Sequence, residues 1–204
     1  TSGVIQEGCV GGGTGMICHD FKGGIGTSSR VVSELSGKYT VGALVQTNYG
    51  DRGLFRVDGV PVGSEIGYDK VPSGWDEPPA GSSVIVIIAT DAPLLPLQCR
   101  RLAQRATIGL ARVGGVGYNG SGDLFLAFAT GNNIPVPYKK PYDVQMLPHQ
   151  QMNLLFEATV EAVEEAVLNS LTAAETVVGF KGRTAYALPL DELQAVMKKY
   201  GRRD

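Results

Sequence analysis

The strongest constraint in this 204-residue chain is the run Val84-Ile85-Val86-Ile87-Ile88, five consecutive β-branched apolar residues. Such side chains are stiff at χ1 and favour strands, and a run with no polar position predicts a strand buried on both faces. Directly before it stand Gly81, Ser82 and Ser83, and before these a segment rich in breakers: Pro72, Gly74, Pro78 and Pro79. A hydroxyl is thereby set at the mouth of a core strand, behind an exposed stretch open to cleavage. Two readings fit. One is an ordinary capped loop, the commoner case for so short a motif. The other is an N-terminal nucleophile, in which self-cleavage frees an α-amino group that serves as base for the adjacent hydroxyl. An α-amino group titrates at roughly 7.7–8.0, so part of it is neutral near pH 7 without help from a histidine.

Composition narrows the classes. With 43% hydrophobic and 19% charged residues the chain reads as one globular domain, or at most a compact pair. Eighteen basic against twenty acidic residues leave no electrostatic footprint for nucleic acid. No apolar run approaches the roughly 18–20 residues that span a bilayer, so no membrane partner is expected. Thr1-Ser2-Gly3 lacks the basic and apolar regions of a signal peptide. Cys9, Cys18 and Cys99 form no CxxC pair, and free thiols point to a reducing compartment. A cytoplasmic location is therefore expected, with the periplasm as the alternative. There is no initiator methionine, and a segment upstream of Thr1 is expected. Thr1 itself ranks below Ser83 as a nucleophile, because Ser2-Gly3 interrupts any strand behind it.

Elsewhere the chain alternates glycine-rich turns with periodic segments. Gly11-Gly12-Gly13-Thr14-Gly15 and Gly23-Gly24-Ile25-Gly26-Thr27 lack the GxxxxGK[ST] spacing of a phosphate loop and read as hairpin turns. Residues 38–46 predict a strand ending in the turn Thr47-Asn48-Tyr49-Gly50, where Asn48 is either a turn residue or an oxyanion donor. Residues 51–82 read as a linker or surface loop, the natural place for a processing site. A helix over 97–113 is followed by the turn Tyr118-Asn119-Gly120-Ser121-Gly122-Asp123 and a strand over 124–129. If strand geometry begins at Ser121, its hydroxyl and the Asp123 carboxylate point the same way; otherwise the sequence is a plain turn. Met152, Leu155, Phe156, Val160, Val163, Val167 and Leu171 form the apolar stripe of a helix over 149–171, with Glu157, Glu161, Glu164 and Glu165 on its solvated side. A short closing segment, 190–200, is expected to end in a last helix.

Rival chemistries lack their residues. His19 and His149 are the two histidines, and no GxSxG elbow occurs, which disfavours a Ser-His-Asp hydrolase. Two distant histidines and three scattered cysteines do not make a zinc site, and no motif asks for a metal or a cofactor. A binding or assembly domain remains open, since pattern alone does not fix function.

The motifs also carry a resemblance. Ser83-Val84-Ile85-Val86-Ile87-Ile88-Ala89-Thr90-Asp91-Ala92-Pro93-Leu94 resembles the opening of the small subunit in the family of L-aminopeptidase/D-amino-acid esterase-amidases, which includes β-peptidyl aminopeptidases and nylon-oligomer hydrolases. Glu7-Gly8-Cys9-Val10-Gly11-Gly12-Gly13-Thr14-Gly15-Met16, Phe21-Lys22-Gly23-Gly24-Ile25-Gly26-Thr27, Val45-Gln46-Thr47-Asn48-Tyr49-Gly50 and Ser121-Gly122-Asp123-Leu124-Phe125-Leu126-Ala127-Phe128 are similar to its further signatures, in order. The resemblance implies an α+β fold, a four-layer αββα sandwich forming a single domain. It also implies self-cleavage into a large subunit, of which 1–82 is the C-terminal part, and a small subunit, 83–204. Ser83 is the implied nucleophile, Ser121 and Asp123 the proton relay, and Asn48 the oxyanion donor. Ser82 and Ser83 flank the processing site; relatives usually carry glycine or asparagine where this chain has Ser82. Family precursors run longer at the N-terminus, and that part supplies a cleft tyrosine and an acidic group for the substrate's amino end. The implied substrates are small peptides, amides or esters with a free amino end. The implied assembly is a homo-oligomer, a tetramer of two-subunit protomers. The alternative is a truncated or non-catalytic homologue acting as a binding or assembly domain.

Overall fold

The computed structural model describes residues 3–33, 37–75, 81–137 and 139–202. The glycine-rich opening forms the hairpin β1 (Ile17–Cys18) and β2 (Phe21–Lys22). It leads into a four-stranded sheet of β3 (Ile25–Val32), β4 (Tyr39–Asn48), β5 (Ser83–Thr90) and β6 (Leu124–Ala129), in that spatial order. The first three strands are antiparallel neighbours, whereas β5 and β6 run parallel. A parallel pair requires a crossover, and α2 (Pro96–Ala103) with α3 (Ala106–Val113) supplies it. The short α1 (Val62–Glu65) lies between β4 and β5. After β6 come α4 (Met152–Thr172), the small pair β7 (Val177–Val178) and β8 (Thr184–Ala185), and α5 (Leu190–Lys199). Among the described residues, no helix is long and apolar enough to cross a membrane.

The core lies between the sheet and α4. Val41, Ala43 and Val45 of β4 and Val84, Val86 and Ile88 of β5 point to the helices and are buried, as is the whole predicted stripe of α4. Burying each Val, Ile, Leu, Met or Phe among them contributes about 1.5–3 kcal/mol. Gly26 lets α4 settle on β3, because a Cβ there would run into the Ala166 carbonyl. The Thr47 and Ser170 hydroxyls, 2.9 Å apart and buried, tie β4 to the same helix. The glutamates of α4 are not merely solvated: Glu161 pairs with Arg30 and Glu164 with Arg112.

Three expectations are corrected. The strand at 84–88 is buried on one face only; Ile85 is 38% exposed, beside Leu124 at 64% and Phe128 at 46%. The reason is that α2 and α4 pack on one face of the sheet, with α3 against α4, so among the described residues the sheet is covered by helices on one side and presents an open apolar face on the other. The helix over 97–113 is two helices, since the backbone tightens at Gln104-Arg105, where the Arg105 N–H reaches the Leu102 carbonyl at 2.9 Å. Finally, much of 51–75 is packed rather than loose: Arg52, Phe55, Val60, Val62, Ile66 and Val71 are buried. Residues 76–80, which hold Pro78 and Pro79, lie outside the described residues.

Candidate active site

The predicted site residues gather where β5 and β6 begin. The parallel pairing of these strands, which starts at Ile85 and Leu124, has a further bridge three residues back between Ser82 and Ser121. There the Ser82 hydroxyl donates to Ser121 Oγ at 3.2 Å, and Ser121 donates to Asp123 Oδ1 at 2.6 Å. Residues two apart on an extended strand share a face, which is why 121 and 123 meet. The backbone N–H of Gly122, between them, donates to the Ser82 carbonyl at 2.9 Å.

Ser83 opens β5 and stands opposite Asn48 of β4. Strand alternation places this pair on the open face, with Ile85 and Leu44, and places Ser82 on the helix side with Val84. Ser83 nevertheless adjoins the other group, since a Cβ on Gly122 would lie 3.7 Å from its own. Asn48 Oδ1 accepts the Ile17 N–H at 3.1 Å, so the β1 hairpin orients the amide. The structure thus pairs Asn48 with Ser83 and links Ser121 to Asp123. The hydroxyl joined to that link in the continuous chain is that of Ser82.

A cavity of about 250 Å3 opens beside these groups, lined by Ser82, Ser121, Asp123, Tyr49, Tyr118 and Phe125. Its wall turns at Gly114, which ends α3 at φ 109°, a left-handed conformation that favours glycine. Tyr118 is bonded to Asp51, and that bond raises its phenol pKa. Tyr49 is buried with its hydroxyl unpartnered among the described residues, and burial drives its phenol well above the ordinary value. His19 meets the Tyr49 ring edge-on at 5.1 Å and stacks on Phe55 at 5.1 Å. Its Nδ1 lies 3.1 Å from the Asp51 carbonyl, a geometry that makes Nδ1 the donor. Burial lowers the imidazole pKa to about 4, so the ring is neutral near pH 7. His19 therefore supports the cavity wall and is not placed to serve as a base for Ser83.

Sequence reasoning missed the buried cations behind the site. Lys22 is 1% exposed, and its ammonium donates to the carbonyls of Gly13, Met16 and Gly23 at 2.9, 2.9 and 2.7 Å. Burial lowers its pKa. Arg52 lies 3.6 Å from the centre of the Phe21 ring and donates to the carbonyls of His19, Asp20, Ile66 and Val71. Each locks a loop that carries no ladder of its own, and the signal available was only a basic residue beside glycine, Lys22 before Gly23-Gly24 and Arg52 before Gly53. Tyr49 was legible only as the neighbour of Asn48. Among the described residues, no group of three or more potential metal ligands converges.

Over residues 1–185 the sequence matches the family described as Peptidase family S58. The chain belongs to peptidase family S58. Among relatives of this S58 chain is the beta-peptidyl aminopeptidase BapA of Sphingosinicella microcystinivorans, 47% identical over 213 residues that cover 98% of the chain and 54% of that protein. A solved Burkholderia sp. beta-aminopeptidase superposes with a TM-score of 0.89 at 49% identity, covering all of this chain and 57% of the other. The L-aminopeptidase D-Ala-esterase/amidase of Ochrobactrum anthropi, described as a variant of the Ntn hydrolase fold, superposes with a TM-score of 0.87 at 43% identity, over 99% and 55% of the two chains. The resemblance read from the motifs holds, and so does the α+β fold. The chain spans about half the length of the curated relatives it matches.

Proposed function

We propose that this S58 chain carries the nucleophile and relay of a self-cleaving serine aminopeptidase/amidase, divided into 1–82 and 83–204. The observation that carries this reading is the treatment of the Ser82 carbonyl, the one Ser83 would attack, which is held by the Gly122 N–H at 2.9 Å while Asn48 stands opposite Ser83. In processing, Ser83 Oγ adds to the Ser82 carbonyl carbon, the Ser82–Ser83 C–N bond breaks, and the hydroxyl proton passes to the Ser83 nitrogen. Water then hydrolyses the ester, leaving a Ser82 carboxyl group and a free Ser83 hydroxyl.

In turnover the Ser83 α-amino group takes the hydroxyl proton as Oγ attacks the substrate carbonyl. The Asn48 amide and the Gly122 N–H stabilise the oxyanion. Ser121 and Asp123 hold the ammonium, which protonates the leaving group, and water clears the acyl-enzyme. The substrates are peptides, amides or esters with a free amino end, in keeping with the aminopeptidases to which the chain is similar. Assembly as a tetramer of two-subunit protomers belongs to the same reading.

A second reading has its own observation: Ser82, not Ser83, has its hydroxyl in the chain to Asp123, which would make Ser82 the nucleophile and Gly81-Ser82 the cut bond. Intact mass under denaturing conditions, with N-terminal sequencing of each species, separates the two. A small fragment opening at Ser83 is expected. One opening at Ser82 transfers the role, and a single uncut chain without hydrolytic activity brings the binding or assembly alternative forward.

A further inference from the structure

We propose that the Ser82 hydroxyl is a positioning group for self-cleavage, filling in the uncut chain the acceptor site on Ser121 that the new Ser83 α-ammonium takes after the cut. This rests on the reading of Ser83 as nucleophile. A serine hydroxyl has one proton to give and lone pairs to offer. Ser121 commits its proton to Asp123 Oδ1 at 2.6 Å and accepts the Ser82 hydroxyl at 3.2 Å.

Ser82 is therefore held twice, at its side chain by residue 121 and at its carbonyl by the Gly122 N–H at 2.9 Å. Those two anchors orient the Ser82–Ser83 peptide plane, with Ser83 turned to the opposite face of the sheet beside Asn48. Charge explains the exchange that follows. Before cleavage the nitrogen of residue 83 is a neutral amide, and a neutral hydroxyl donor completes Ser121 without adding charge. When the ester formed by Ser83 Oγ is hydrolysed, residue 82 acquires a carboxylate at the Gly122 N–H, which adjoins Asp123 in the chain, and residue 83 acquires an ammonium. Like charge expels the first and opposite charge retains the second.

The test follows maturation of the full chain by time-resolved intact mass. Ser82→Ala is expected to slow cleavage about five- to tenfold, the scale of one hydrogen bond. Ser82→Thr, which retains the hydroxyl, is expected to restore the rate to near wild type. Wild-type kinetics in Ser82→Ala, with the fragment still opening at Ser83, overturn this proposal and leave the Ser83 reading standing. A threonine variant as slow as the alanine variant also overturns it, because side-chain size and not the hydroxyl is then at work. A wild-type fragment opening at Ser82, or continued cleavage in Ser83→Ala, overturns the Ser83 reading itself.

Discussion

Asn48 and Ser83 face one another across the antiparallel β4–β5 pair, and the Asn48 amide oxygen is already taken by the Ile17 N–H at 3.1 Å. An asparagine offers one acceptor oxygen and an NH2 donor. With the oxygen occupied, the NH2 donor remains for the oxyanion of the mechanism proposed above.

Asn48→Asp keeps the acceptor for Ile17 and removes the donor, so the fold should survive while catalysis falls. The expected loss in kcat on an aminoacyl amide is about 10²–10³-fold, the range for losing one oxyanion donor. A rate within a few-fold of wild type would remove Asn48 from that role.

Asp123→Asn still accepts from Ser121 but carries no charge to hold an ammonium. Turnover should fall by about 10²-fold, at the lower end of proton-transfer effects, with the denaturation midpoint little changed. An unchanged steady-state rate would take Asp123 out of the relay.

His19 makes stability depend on pH. Its folded pKa of about 4 lies below the ordinary 6.5 because burial outweighs the opposing pull of the Asp51 carbonyl and of Asp20. Between those values the unfolded chain binds the proton and the folded chain does not, so stability is complete above about pH 6.5 and falls as pH drops toward 4. The loss amounts to roughly 3 kcal/mol. Urea midpoints at pH 7 and pH 4.5 should differ in wild type, and His19→Gln should reduce the difference. An equal difference in the variant would assign the effect to other groups.

Arg52→Met keeps apolar volume but strands the carbonyls of His19, Asp20, Ile66 and Val71. A stability loss of about 3 kcal/mol or more is expected, since each buried acceptor left unpaired costs about 1–3 kcal/mol. Arg52→Lys should recover only part of it, because a single ammonium lacks the planar fork. Thermal unfolding of the two variants checks both statements, and a wild-type midpoint in Arg52→Met would show that these carbonyls find other donors.

Local pattern made much of this molecule legible. The strand over 124–129 and the helix stripe from Met152 to Leu171 follow from spacing within one element, and both stand where spacing puts them. The same holds for Ser121 and Asp123, which meet because alternate strand residues share a face. The break at Gln104-Arg105 was not legible, because apolar spacing continued across it while the two halves packed on different partners, α2 toward the sheet and α3 toward α4. The exposed face of β5 was misread for a related reason: a run of Val and Ile states that a face can be buried, not that this chain buries it.

By itself, then, the sequence determined the elements, the motif-bearing turns and the family signatures, all of which depend on neighbours a few residues apart. Tertiary structure decided which serine meets which partner. Ser82 reaches Ser121 across 39 residues because β5 and β6 pair in one parallel register, and Asn48 meets Ser83 because β4 and β5 pair in one antiparallel register. Lys22 and Arg52 became core residues only once folded loops presented them with carbonyls to satisfy. Register and the pairing of buried polar groups are set by packing between distant segments, since a one-residue slip turns every side chain to the other face and an unpaired buried carbonyl is costly.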